Sequence, residues 1–396
     1  MRIAYIAPYQ GPELLKRRPS TMQHLGLAAN LKIEMVAELL ERHDHRIDVL
    51  SQGEVAEEEA RFFSAFREEK PFSSTVRVMY ASALPVRRIN GLWSAFWTLR
   101  LFKQLHRREP YDVVIVYNLK LPQIVCARHA IRRLGLPVVL EYEDDAVVDV
   151  RGRSEAGRSG SWQFPLVQSV LDSVSACLAV SPHLLSRVSA DVPKSLLRGV
   201  VSENILQSTR ETTPTRKNWV VFSGTHAKVK GLEQLVSAWE MAKLRDWELH
   251  IAGHGDITDL LKKMTQHDRS IHFHGLLNRE DNARLLRMSR IGINPHDLSQ
   301  TPGNVFAFKI IEYLAAGTHV ITTPMGPLEE ELEAGITYIP DNTPQTIAAA
   351  LTSVIAEQGY DRLATEAAQQ TYGQAAVARM LNKVLEQVRT PAAAGL

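Results

Sequence analysis

The stretch TPGNVFAFKIIEYLAAGTHVITTP, Thr301 to Pro324, decides how the chain is read. Pro302 and Gly303 open a loop, Asn304 to Ala316 carries helical periodicity, Gly317 stops it, and His319 to Thr322 is a short strand ended by Pro324. Positions three and four apart share a helix face, so Lys309 and Glu312 can address one site while Phe306, Ile310 and Leu314 address another. A helix start presents unpaired N–H groups that suit a phosphate oxygen, and a carboxylate further along suits paired sugar hydroxyls. This points to a nucleotide-sugar site. The competing reading of Lys309 and Glu312 is a surface ion pair, a common and weak interaction.

Working outward, 396 residues exceed what one hydrophobic core usually organises, so two domains of about two hundred residues each are expected. An apolar share of 45% and a charged share of 23% belong to a folded globular chain and exclude the disordered and fibrous classes. A net charge of +2 selects no partner, and no sustained basic and aromatic pattern points to nucleic acid. Cys126 and Cys177 are too few for a disulfide framework, which fits a reducing cytoplasm. MRIAYIAPYQ lacks a signal-peptide pattern, so export is not expected. Membrane contact, if any, would be peripheral, at the inner face.

The first half alternates strand-like and helix-like segments. Strands are expected at Arg2 to Ala7, Arg46 to Leu50, Thr75 to Ala81, Asp112 to Tyr117, Pro137 to Tyr142 and Cys177 to Val180. Helices are expected at Met22 to Arg42, Glu54 to Lys70, Ile89 to Arg108, Leu121 to Leu134 and Trp162 to Ser175. Near-continuous apolar strands are those of a parallel sheet covered on both faces. The polar segment Glu203 to Lys217 marks a boundary, and the alternation then restarts. We therefore expect residues 1–203 and 204–371 to form two Rossmann-like parallel-sheet domains facing across a cleft, with 372–396 a helix returning to the first.

Ser223 to Gly231, SGTHAKVKG, falls where a strand passes to a helix. Gly224 allows a tight turn, Gly231 opens the helix, and Lys230 can reach a diphosphate there, although a lysine in such a place is more often simply solvated. IAGHGD, with Gly253, follows one strand and one helix later. In the first half, LEYEDDAVVD crowds Glu141, Glu143, Asp144 and Asp145 at a strand end, where carboxylates repel unless solvated or used. Tyr9, Gln10 and Gly11 follow the first strand and are expected to line the acceptor side. Leu92, Trp93, Phe96 and Trp97 in the Ile89 to Arg108 segment, ringed by Arg and Lys, can lie on an anionic membrane or face a core. The scattered histidines, His24, His43, His45, His250, His254, His272 and His274, form no compact ligand set by spacing, so no metal site is expected.

GTHAKVKGLEQLVSAW, LHIAGHGD and FKIIEYLAAGTHVITTP occur in the order and spacing of the donor domain of family 4 retaining glycosyltransferases, and SACLAVSPHLLSRV extends the match into the first half. The chain resembles that family, in the subgroup with lysine three residues before the ribose-binding glutamate. The resemblance implies the GT-B fold and, as substrate, a UDP- or GDP-linked sugar, with no cofactor. It further implies a glycan, lipid-linked or small-molecule acceptor and metal-free transfer. By the same resemblance Lys230 binds the diphosphate, Glu312 the ribose, and Gly224, Gly253, Gly303 and Asn304 line the donor. Thr225 stands where the family often has arginine and Asn304 where it often has glutamate; Lys309 would supply the missing cation. Glu143 or Asp144 takes the approximate place of a histidine that touches the donor sugar, and either would orient a hydroxyl, with Asp145 on the acceptor side. The two departures leave a second reading, a catalytically silent relative that binds a sugar nucleotide or a partner enzyme. An epimerase shares the fold, and the absence of GxGxxG after the first strand disfavours a nicotinamide oxidoreductase.

Overall fold

The computed structural model describes the chain except for residues 19–26, 54–61, 70, 74, 85, 87–88, 145–162, 207–215, 300–305, 327, 358–361 and 390–396. Two compact units emerge, one of Met1–Val200 with Val377–Leu396 and the other Val201–Ala376.

The first unit is built on eight described strands: β1 (Arg2–Ile6), β2 (Arg46–Ser51), β3 (Phe66–Glu69), β4 (Arg77–Tyr80), β5 (Val113–Tyr117), β6 (Val138–Tyr142), β7 (Ala176–Ala179) and β8 (Lys194–Leu196). Their order is β3-β4-β2-β1-β5-β6-β7-β8. VVIVY in β5 is buried at all of its positions, because helices cover both faces of this part of the sheet. The sheet is mixed: β3 runs antiparallel to β4, with Phe66 opposite Tyr80. Of the helix expected over Glu54 to Lys70, this corrects the stretch Phe66–Glu69; residues 54–61 and 70 lie outside the described residues. Phe66 stacks on the Tyr80 ring at 4.5 Å and Glu68 is buried beside it, so alternation along β3 outweighs the helix-favouring charge content. β8 was also absent from the sequence reading; it is three residues long and half-buried throughout.

The second unit carries β9 (Lys217–Ser223), β10 (Glu248–Ala252), β11 (Ile271–Gly275), β12 (Ser289–Asn294), β13 (His319–Thr322) and β14 (Ile336–Tyr338), in the order β11-β10-β9-β12-β13-β14. All pairs in this sheet are parallel. One apolar cluster, with Leu235, Val236, Trp239 and Leu351, covers one side of it. A second, with Leu286, Ile310, Ile311 and Leu314, gathers around the helix Lys309–Ala315. That helix is shorter than the expected Asn304 to Ala316. It begins at Lys309, so the lysine sits in the first turn rather than along the helix.

The C-terminal helix Gln374–Arg389 leaves the second unit and returns to the first. Val377, Leu381, Val384 and Leu385 are buried in one cluster with Ile3, Val36, Leu40 and Ile47. Its apolar residues recur at three- and four-residue spacing, giving one continuous stripe toward that core.

Candidate functional site: strand-end turns of the second unit

In a parallel sheet the loops after the carboxyl ends of the strands gather at one edge. Here the turns after β9, β10 and β12 do so. Gly224 N donates to Ala252 O at 3.0 Å, and His226 N to His254 O at 3.1 Å, tying the first turn to the second. Asp297 N donates to Val229 O at 2.9 Å, which brings in the third. Glycine is required where these turns touch: a Cβ on Gly253, whose φ is +123°, would lie 1.9 Å from Gly224 O.

Gly224, with φ +150°, leaves the space that Lys309 occupies, since a Cβ there would lie 2.7 Å from Lys309 Nζ. The ammonium sits 3.8 Å from the centroid of the Phe222 ring. It is buried and has no hydrogen-bond partner among the described residues. Burial, then the nearby Lys230, lowers its pKa well below that of a free lysine, while Glu312 acts in the opposite direction. Burial pushes half-buried Glu312 up to about 7, against the pull of Lys309. The surface ion pair that competed with the site reading is therefore not formed. Lys309 is held beneath the first turn, where a ligand oxygen would give it a partner.

Lys230 lies in the short 3-10 turn Lys228–Lys230, just before the helix Leu232–Ala242. Its ammonium donates to His296 Nε2 at 2.8 Å. His296 is buried, and burial followed by Lys230 and Lys309 drives its pKa far down, so the ring is neutral. Nδ1–H then donates to Asn294 Oδ1 at 2.9 Å, and Asn294 Nδ2 to Thr322 Oγ1 at 2.9 Å. This chain from β13 through β12 to Lys230 fixes the lysine's position, and His296 was missed in the sequence. Its only signal was its place in NPHD, directly after β12. His226 was missed as well; it is buried and its Nδ1 lies 2.9 Å from Thr258 Oγ1, which joins the first turn to the helix after the second. Thr225 is exposed. Gly303 and Asn304 lie outside the described residues.

In the first unit, Glu141 is fully buried at the end of β6 and accepts a hydrogen bond from Tyr5 Oη. Lys32 Nζ lies 3.8 Å from Glu141 Oε1, donates to Glu143 Oε1, and donates to Leu197 O at 2.6 Å. The crowded carboxylates thus share a buried cation that the sequence reading did not include. Burial holds Glu143 up at about 7, with Lys32 pulling it down. Asn118, in the left-handed region at φ 59°, accepts from Glu143 N at 2.7 Å and from Asp144 N at 3.0 Å. This turn leaves Asp144 exposed, whereas Glu143 is paired. Asp145 lies outside the described residues.

Tyr9 and Gln10 are buried. Tyr9 Oη donates to Glu34 Oε1 at 2.9 Å, and the Gln10 backbone exchanges bonds with the Asn30 side chain at 3.0 and 2.8 Å. Gly11 N donates to Tyr80 Oη at 3.0 Å, and its missing Cβ leaves room for Glu68, which accepts from Tyr80. All three residues are integrated into the loop's own framework.

The helix Asn90–Arg108 buries Ser94, Ala95, Thr98 and Phe102. Its core face is therefore built of small residues with Phe102 at its C-terminal part, and Leu92 and Phe96 remain 55% and 60% exposed. No helix among the described residues is long and apolar enough to cross a membrane.

One expectation is corrected outright. Glu248, His250 and His272 place one ligand atom each within 4.8 Å of one another, so the histidines do include a compact set. Spacing concealed it because the set is assembled by strand pairing: His250 lies opposite His272 in the β10–β11 register.

Comparison with known proteins agrees with this architecture. A family model described as glycosyl transferases group 1 matches residues 217–357, and one described as a glycosyl transferase 4-like domain matches residues 29–196. No curated protein matches the chain. Among solved structures, a sucrose-phosphate synthase from Thermosynechococcus elongatus is 16% identical, with TM-score 0.69 over 98% of this chain and 99% of that one. HepE of Anabaena in complex with UDP-glucose is 13% identical, with TM-score 0.63 over 98% of this chain and 99% of that one. The UDP-GlcNAc 2-epimerase of Neisseria meningitidis bound to UDP-GlcNAc is 11% identical, with TM-score 0.57 over 98% and 100%. At these identities the structures speak for the fold alone, whereas the two family models match consecutive parts of the chain, one in each unit. The chain belongs to the glycosyltransferases of the GT-B fold.

Proposed function

We propose that this glycosyltransferase moves a sugar from a UDP- or GDP-linked donor to a glycan, lipid-linked or small-molecule acceptor, with retention at the anomeric carbon and no metal at the transfer site. The observation that carries the reading is the Lys309 ammonium, buried without a hydrogen-bond partner among the described residues, beneath the glycine turn at Gly224. A buried cation left unpaired is costly, and a diphosphate oxygen would relieve that cost through a charge-assisted hydrogen bond. Lys230 and Lys309 together would stabilise charge as it develops on the departing diphosphate, the role a metal ion plays elsewhere. Glu312 would accept from the ribose hydroxyls. Thr225, Gly253, Gly303 and Asn304 complete the donor side in this reading.

Retention is proposed on the family resemblance: attack from the donor's own face, with a phosphate oxygen receiving the acceptor proton. Asp144 would orient a hydroxyl, and Glu143 would hold the Asp144 turn through Lys32. Tyr9, Gln10, Gly11 and Asp145 would lie on the acceptor side. The UDP-glucose complex of HepE supports a uridine donor. The exposed Leu92 and Phe96 support a peripheral contact with an anionic membrane, as would suit a lipid-linked acceptor and a cytoplasmic enzyme.

The test is incubation with UDP-, GDP- and ADP-sugars and an acceptor panel in the presence of chelator. Product with retained configuration is expected. Activity that vanishes with chelator removes the metal-free reading, and binding without turnover favours the silent-relative reading, which uncharged Thr225 supports. The likeness to an epimerase supplies a further alternative, betrayed by a changed sugar nucleotide without acceptor.

A further inference from the structure

The Glu248, His250 and His272 set lies away from the donor turns. Glu248 and Ile271 are the first residues of β10 and β11, whereas the donor turns follow the last. The four residue steps along each strand separate the two ends by roughly 13 Å. Glu248 and His250 are two apart and point to one face, and His272 joins them as His250's cross-strand neighbour. His250 Nε2 lies 3.1 Å and His272 Nε2 3.7 Å from Glu248 Oε2. Ligand atoms around a tetrahedral ion with bonds of about 2.0–2.1 Å stand about 3.4 Å apart, which these separations bracket.

Two further features point to a ligand. His272 Nε2 is buried and has no hydrogen-bond partner, although it faces the carboxylate. His250 Nδ1 lies 2.9 Å from His274 Nε2, and the rings of Trp219 and His250 are 4.0 Å apart. Such contacts through the other ring nitrogen and the ring face hold a metal-binding imidazole in place. Glu248 and His272 are 45% and 42% exposed, so an ion can enter and keep a water ligand.

We propose that Glu248, His250 and His272 bind one divalent ion of the zinc class, which clips β11, at the edge of the sheet, to β10. Two imidazoles and one carboxylate suit Zn²⁺, Co²⁺ or Ni²⁺ over Mg²⁺ or Ca²⁺. When the ion binds, His250 remains neutral: its single proton moves by exchange with solvent from Nε2, where Glu248 accepts it in the metal-free form, to Nδ1, with no net loss from the ring. The imidazole then coordinates through the Nε2 lone pair, while Nδ1–H donates to His274 Nε2. The site is independent of the proposed transfer chemistry and stands or falls separately from it.

The experiment is calorimetric titration of the full, tag-free chain with Zn²⁺, alongside Co²⁺ absorption spectra and metal-free thermal melts. One equivalent of Zn²⁺ should bind, with Co²⁺ giving the intense visible bands of a low-coordinate site. His272→Ala and Glu248→Gln should each weaken uptake by at least about tenfold, with metal-free melting little changed, because both side chains are half-exposed at the strand starts. His43→Ala should bind as the parent does. Absence of stoichiometric uptake overturns the proposal, as does uptake that both cluster substitutions leave unaltered. Mg²⁺ binding in preference to Zn²⁺ would overturn the assignment of ion class.

Discussion

Lys309 and Gly224 are two halves of one feature. A methyl group at position 224 would lie 2.7 Å from the ammonium, at the movable end of a long side chain, and would also strain a backbone at φ +150°. Gly224→Ala should therefore displace Lys309 more than it disrupts the fold. We expect about tenfold weaker donor binding, a loss of about 1.4 kcal/mol, measured by titration with UDP-sugar. Lys309→Met should lose donor affinity by at least as much while raising the melting temperature, since it removes a buried, unpaired charge. Equal donor affinity in both variants would remove Lys309 from the site. Glu312 gives a pH signature. Its carboxyl is raised from 4.5 to about 7, so its proton is held more tightly folded than unfolded. Its contribution to stability is full below about pH 4.5 and is lost as pH rises to about 7, an amount bounded at about 3 kcal/mol and reduced by partial exposure. Glu312→Gln should consequently gain stability relative to the parent between pH 5 and pH 8. Parallel melting curves for the two proteins across that range would contradict the shift.

Among the elements, two helices with similar amphipathic sequences have different fates. Gln374–Arg389 buries its whole apolar stripe, and Leu381 is 2% exposed in the first unit's core. Leu381→Ala should cost about 2–5 kcal/mol, read as a lower midpoint in urea for the first unit. Asn90–Arg108 instead turns Ser94, Ala95 and Thr98 inward beside Phe102, and leaves Leu92 and Phe96 facing out. Leu92→Glu with Phe96→Glu should leave stability within about 0.5 kcal/mol, as expected of exposed positions. The same pair should abolish sedimentation with anionic vesicles, and undiminished vesicle binding would sink the membrane reading. Apolar periodicity located both helices, but it could not say which face of the second would be covered. That depended on how closely the neighbouring helix Leu121–His129 approaches, and close approach selects small residues.

For the molecule as a whole, the sequence by itself determined the alternation of strands and helices, the restart after the first unit, and the two glycine turns. These are local: an apolar run bounded by glycine or proline specifies a covered strand and its turn wherever it occurs. The motif lysines and Glu312 were legible for the same reason, each at a fixed distance from a strand end. Tertiary structure alone decided that Phe66–Glu69 is a strand, that Lys32 joins Glu141 and Glu143, and that His296 holds Lys230. It also decided that the Lys309 ammonium lies buried beside Gly224 and that His250 meets His272 across two strands. Each of these arises from partners far apart in the chain, brought together by sheet register and burial, and no short-range spacing in the sequence encodes that proximity.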